Sequence, residues 1–150
     1  MPKLKPTTIQ AFKRSRSTII RMFSKILVPL DGSRYAEKAL RYALDIAKKY
    51  EAKITLIHVI PKHYYSKELE EEGKHILHRG QEIANSVGIS VETTITKGIP
   101  AEEIIHLAND QRSDLIVIGN RGLSRARSFF LGSVSYKISL HAKCPTLIIR

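Results

Sequence analysis

The chain contains no tryptophan, one cysteine and no apolar run approaching membrane-spanning length. A helix needs roughly 20 consecutive apolar residues to cross a bilayer, and runs such as residues 115–118 fall far short of that. The lone Cys144 cannot close an intramolecular disulfide, which points to a reducing compartment, and a cytoplasmic location is expected. It stands beside Pro145 at the entry to an apolar segment, with no resolving cysteine, so a buried packing role is expected for it. Two catalytic signatures are missing as well. There is no Gly-x4-Gly-Lys-Ser/Thr loop and no His-Glu-x2-His pair, and no nucleophile is evident beside a base, so dedicated phosphoryl transfer and zinc hydrolysis lack their usual parts.

What the chain has in excess is positive charge, with a net of +11. More than half of it lies in the first 24 residues, where Lys3, Lys5, Lys13, Arg14, Arg16 and Arg21 occur without an acid. Residues 1–22 therefore read as a basic extension outside the core, and residues 23–150 as one domain, a size that supports a proper core. Within the extension Ile9, Phe12, Ile19, Ile20 and Phe23 fall roughly on one helical face, so an arm for nucleic acid, an anionic membrane or a partner is an alternative. The composition also resembles an organellar transit peptide, and Met22 offers a second start just ahead of the first strand.

After the extension, short apolar runs alternate with helical periodicities. Residues 25–30 (KILVPL), 53–60 (KITLIHVI) and 114–119 (DLIVIG) are near-continuous apolar stretches, the mark of parallel strands buried on both faces. Residues 89–96 alternate and are β-branched, which predicts a strand nearer an edge, and residues 146–149 (TLII) complete five. Between them, Ser33 can cap a helix with Ala36, Ala39, Leu40, Ala43, Ile46, Ala47 and Tyr50 on one face. A second stripe takes Leu69, Ile76, Leu77, Ile83, Ala84 and Val87, with Gly73 and Gly80 suggesting close packing and Gly88 a stop. Pro100 opens a third helix, and residues 133–142 form a fourth. Strand-helix alternation of this kind predicts an open, doubly wound five-stranded parallel sheet with helices on both faces. Ligands of such sheets bind outside the carboxyl ends of the strands, here at Leu30–Asp31, Val59–Ile60 and Gly119.

One of those ends carries a distinctive pattern. Gly119 and Gly122 permit positive φ and close backbone approach, while Gly132 and Ser133 place amide groups and a hydroxyl at a helix N-terminus. That terminus concentrates unpaired N–H donors and about half a positive charge, which favours phosphate. Arg121, Arg125 and Arg127 can add charge-assisted contacts. Elsewhere His75 and His78 with Glu71 and Glu82 share a helical face and read as solvated rather than metal-binding. His58 reads as a satisfied core histidine, and His63, Tyr64 and Tyr65 as a loop.

The spacing Gly-x2-Gly-x9-Gly-Ser, the opening KILVPLDGS, the LIHVI strand and the ending GSVSYKISLHAKCPTLIIR resemble the universal stress protein family, in its ATP-binding subgroup, over residues 23–150. The resemblance implies a nucleotide site at Pro29, Asp31, Val59, Gly119, Arg121, Gly122, Gly132, Ser133, Val134 and Ser135. In it Asp31 serves the adenosine part, the Val59 backbone pairs with the adenine edge, and the amides of Gly132 to Ser135 with the hydroxyls of Ser133 and Ser135 hold phosphates. It further implies ATP or AMP as ligand, Mg²⁺ shared by phosphate oxygens, slow hydrolysis at most, a stress-regulatory role and a homodimer through Thr146–Ile149. The segment between Gly119 and Ala142 contains no acid, so a metal there would depend on phosphate, water and Asp31.

Overall fold

The computed structural model describes residues 22–123 and 130–150. Readings that concern the basic extension, and the loop arginines Arg125 and Arg127, lie outside the described residues. Along the chain the elements are β1 (Lys25–Pro29), α1 (Arg34–Tyr50), β2 (Lys53–Pro61), a single 3₁₀ turn (Lys62–Tyr64), α2 (Lys67–Ser86), β3 (Val91–Gly98), α3 (Pro100–Asp110), β4 (Leu115–Gly119), α4 (Ser133–His141) and β5 (Thr146–Ile149).

The strands form one parallel sheet in the order β3-β2-β1-β4-β5. From β1 the chain winds outward to β2 and β3, then returns to the other side of β1 for β4 and β5. This is the doubly wound arrangement expected from the alternation of elements. Its strand order reverses beside β1, which puts a crevice between the carboxyl ends of β1 and β4.

Two apolar layers cover the sheet. On one side α1 and α2 bring Ala39, Leu40, Ala43, Leu77 and Ala84 against Ile26, Val28, Ile54, Leu56 and Val117. On the other, α3 and α4 bring Ala101, Ile104, Ala108 and Ile138 against Leu27, Ile57, Ile116 and Ile118. Successive β4 residues alternate between the layers, which is why that strand is apolar throughout. Ser33 caps α1 as its type predicts, its Oγ accepting from Ala36 N at 3.1 Å. Pro100 occupies the first turn of α3, where its missing N–H costs no helical bond.

Glycine governs how closely α2 approaches. A Cβ at Gly80 would come within 2.7 Å of Leu30 Cδ1 and 2.8 Å of Leu56 Cδ1, so any larger residue there would require those two side chains to shift. Two expectations are corrected here. β3 begins at Val91 rather than 89, because Ile89 N still donates to Ala84 O at 3.0 Å in closing the end of α2. Val87 belongs to that same closure and is 46% exposed, so it is not part of the buried stripe.

Candidate functional site

Where the strand order reverses, a cavity of about 380 Å³ opens at the carboxyl ends of β1, β2 and β4. All ten residues singled out from the sequence line it: Pro29 and Asp31 after β1, Val59 on β2, Gly119, Arg121 and Gly122 after β4, and Gly132 to Ser135 at the start of α4. These segments lie far apart in the chain and meet only because the sheet brings their ends to one edge.

The glycines act through space rather than through backbone angle. Among the described residues the glycines with positive φ are Gly32 and Gly88, so the expected use of positive φ at Gly119 and Gly122 is corrected. A Cβ on Gly119 would meet the backbone carbon of Tyr35 at 2.8 Å, and one on Gly122 would meet Asp31 Oδ2 at 2.5 Å. Gly119 thus lets the first turn of α1 sit on the end of β4, and Gly122 lets the loop close over the Asp31 carboxylate.

At the start of α4 the first helical bond runs from Tyr136 N to Gly132 O at 2.9 Å, which leaves the N–H groups of Ser133, Val134 and Ser135 without a helical acceptor. The Gly132 N–H is not among the open donors. It donates to Asn120 O at 2.7 Å, holding the helix start against the loop. Ser135 is likewise turned inward, 2% exposed, with its Oγ 3.1 Å from Asn120 O and 3.0 Å from Gly132 O. Its hydroxyl hydrogen is taken by backbone carbonyls, so what Ser135 offers the cavity is its amide. Among the described residues, three amides and the exposed Ser133 hydroxyl are therefore available, fewer donors than the residue types alone suggest. Asn120 itself is 9% exposed, and its Oδ1 is buried without a hydrogen-bond partner among the described residues.

Positive charge gathers at this end. Arg121 lines the cavity, and Tyr35 lies beside it on the first turn of α1. The Arg34 Nη2 donates to the Tyr35 hydroxyl at 3.1 Å, which holds that phenol below the usual tyrosine range, with a smaller contribution from Arg121.

Beneath the Gly122 loop, Asp31 Oδ1 accepts from Ser33 N at 2.9 Å, fixing the turn that leads into α1. His58 places Nδ1 2.7 Å from Leu30 O and lines the same space, so it is hydrogen-bonded as expected but stands at the site rather than only in the core. Composition and spacing also gave no notice of the apolar wall, where Leu30, Ala36, Ile57, Ile104 and Ile118 face the cavity. Each reads in the sequence as an ordinary core residue, and only strand order shows that its layer borders an opening. His75 and His78 are exposed, and among the described residues no group of three potential metal ligands is present. Cys144 is half-buried against the α3 and α4 layer, and burial pushes its thiol pKa up.

Comparison with known proteins bears on family and fold. Residues 22–150 match the model of the universal stress protein family. The chain is 36% identical to the universal stress protein YxiE of Bacillus subtilis over 148 residues, covering 86% of this chain and 100% of that one. Its fold is similar to that of the universal stress protein UspA from Lactobacillus plantarum, with TM-score 0.76 and 27% identity over 85% of this chain and 98% of that one. It is similar as well to a universal stress protein family protein of Arabidopsis thaliana solved with AMP bound, with TM-score 0.64 and 27% identity over 84% and 90% of the two chains. The chain belongs to the universal stress protein family.

Proposed function

We propose that this chain is an adenine-nucleotide-binding regulatory protein of the stress response, taking ATP or AMP in the cavity at the strand ends. The observation that carries the reading is the mixed lining of that cavity. It brings together three helix-terminal N–H groups and Arg121, which suit phosphate. It also has apolar walls and strand-end backbone, which suit a flat heterocycle. The AMP bound to the Arabidopsis relative supports the same assignment.

In this reading the amides of Ser133, Val134 and Ser135 hold the phosphates with Arg121, Asp31 accepts from the ribose hydroxyls, and the Val59 backbone meets the base. Asp31 and Glu72 are the only carboxylates on the cavity wall among the described residues. Mg²⁺ accompanying ATP would therefore be held chiefly by phosphate oxygens and water. The role is binding, with slow ATP hydrolysis at most. A ligand that bridges three strand ends and a helix stabilises the arrangement assembling them, so occupancy shifts a population that partners detect. The proposal includes a cytoplasmic location and a homodimer through β5. That strand stands at the sheet edge with Leu147 36% exposed, and Tyr136 and Leu140 are exposed one turn apart on neighbouring α4.

The test is calorimetric titration with ATP, ADP and AMP, with and without Mg²⁺, on the wild type and on Ser133→Asp. An aspartate at the first helical position favours the helix electrostatically but puts negative charge where phosphate belongs. Affinity is expected to fall about 100-fold, since like charges in contact cost several kcal/mol, with Tm unchanged or raised. Equal affinity in the two proteins would move the phosphates elsewhere, and a wild type that binds none of the three nucleotides would end the reading.

A further inference from the structure

We propose that His58 is a positioning residue that stops β1 from pairing one step further with β2, and so leaves the Val59 backbone open to the base of the bound nucleotide. The proposal rests on the nucleotide reading above for its ligand, and on the β1–β2 hydrogen bonds for its geometry.

The two strands run in parallel register from Lys25↔Lys53 to Pro29↔Ile57. The last ladder bond beyond that register runs from Leu30 N to Ile57 O at 2.8 Å. In a parallel pair the next bond would run from Val59 N to Leu30 O. That carbonyl is instead 2.7 Å from Nδ1 of His58. A carbonyl oxygen can only accept, so the ring nitrogen carries the hydrogen and donates it. The imidazole thus supplies from above the sheet the donor that the neighbouring strand would have supplied within it.

Val59 is affected directly. Backbone groups of a strand alternate sides residue by residue, and Ile57 directs its carbonyl at β1. Val59, two residues on, directs its N–H and C=O the same way, into the space where β1 has ended. Among the described residues neither group has a hydrogen-bond partner there, and Val59 lines the cavity. A donor and an acceptor side by side on one strand edge match the ring nitrogen acceptor and exocyclic amino donor of adenine. If Leu30 O took the Val59 N–H, half of that pair would be gone.

The fold also makes room for the ring. A Cβ at Gly73 on α2 would lie 2.6 Å from His58 Cδ2, 3.1 Å from its Nε2 and 2.8 Å from Ile95 Cδ1. The glycine forms the slot in which the imidazole lies flat enough to reach Leu30. Because Leu30 O belongs to the peptide joining Leu30 to Asp31, the same bond orients the residue whose carboxylate faces Gly122.

The experiment compares wild type, His58→Leu, His58→Asn and His58→Gln. Asparagine Nδ2 occupies the place of imidazole Nδ1, whereas glutamine carries its amide one methylene further. Amide exchange at Val59 is measured first, in the free protein, so a wild type that bound no nucleotide would leave this comparison intact. Val59 protection is expected to rise about tenfold in His58→Leu as its N–H joins the ladder, and to stay within about threefold of wild type in His58→Asn. AMP affinity should fall about tenfold in His58→Leu and His58→Gln and hold within about threefold in His58→Asn. A generic loss of packing would affect asparagine and glutamine alike and would not protect Val59. Unchanged Val59 exchange in a folded His58→Leu, or equal AMP affinity in the asparagine and glutamine variants, would overturn the proposal; the second comparison decides the matter should the leucine variant not fold.

Discussion

The two ends of the sheet treat an aspartate in opposite ways. At the amino ends, Asp114 takes hydrogen bonds from Ser24 N at 2.9 Å, Ser24 Oγ at 2.8 Å and Lys25 N at 3.2 Å. Around it the backbone closes in turn, with Lys53 N on Ser24 O and Asp114 N on Lys25 O. At the carboxyl ends, Asp31 accepts one bond among the described residues, from Ser33 N, and turns its second oxygen toward Gly122. Nearby, among the described residues, the Ser133 to Ser135 amides have no helical acceptor. A polar group whose partners are all supplied by the chain contributes stability. One whose partners are missing is available to a ligand, and this fold keeps the two kinds at opposite edges.

Removing the satisfied carboxylate should have the larger effect. Asp114→Ala leaves three donors without their charged acceptor and is expected to cost about 3 kcal/mol in denaturant unfolding, with nucleotide affinity within about twofold of wild type. Next comes Gly73→Ala, which strikes the scaffold behind the open edge. Alanine in place of a helical glycine gains about 1 kcal/mol in propensity, but the Cβ meets His58 and Ile95 at 2.6 and 2.8 Å. Overpacking of that kind costs about 1–3 kcal/mol, so a net loss of stability is expected, together with weaker AMP binding. Asp31→Ala should show the converse of Asp114→Ala, with unfolding free energy changed by less than about 1 kcal/mol and nucleotide affinity down about tenfold by calorimetry. Similar stability losses for the two aspartates would dissolve the contrast between the edges. The smallest effect concerns Cys144. Because burial raises its pKa, little thiolate forms near pH 8, and labelling by a thiol reagent should be about tenfold slower in the folded protein than after unfolding in denaturant.

The same contrast explains what could be read in the sequence. Element type and order were legible because they are local: β4 is apolar throughout since both its faces are covered, and Ser33 and Pro100 mark the helix starts that their chemistry favours. The candidate site was legible in outline because strand ends, glycines and a helix start recur in sequence at the spacing the fold requires. Its wiring was not. That Gly119 makes room for Tyr35, that Gly122 makes room for Asp31, and that Ser135 turns its hydroxyl onto Asn120 are relations across 84, 91 and 15 positions of the chain. Each glycine is compatible with a turn, a positive φ or a close approach until the opposing element is in place. His58 illustrates the same limit. A histidine in an apolar strand reads as core, and only the end of β1 beside it shows which carbonyl it serves.

The strand order also has a mechanical consequence. β1 lies at the centre of the sheet and β5 at its edge, linked through β4, and all three strands run the same way. A pull applied between Lys25 and Ile149 therefore enters at one end of the sheet and leaves at the other, along the strands rather than across them. The β1–β4 and β4–β5 hydrogen bonds are then loaded together in shear instead of being peeled singly. Stretched in this way, the domain should yield in one high-force event, with the cavity at the strand ends lying across the seam that has to slip.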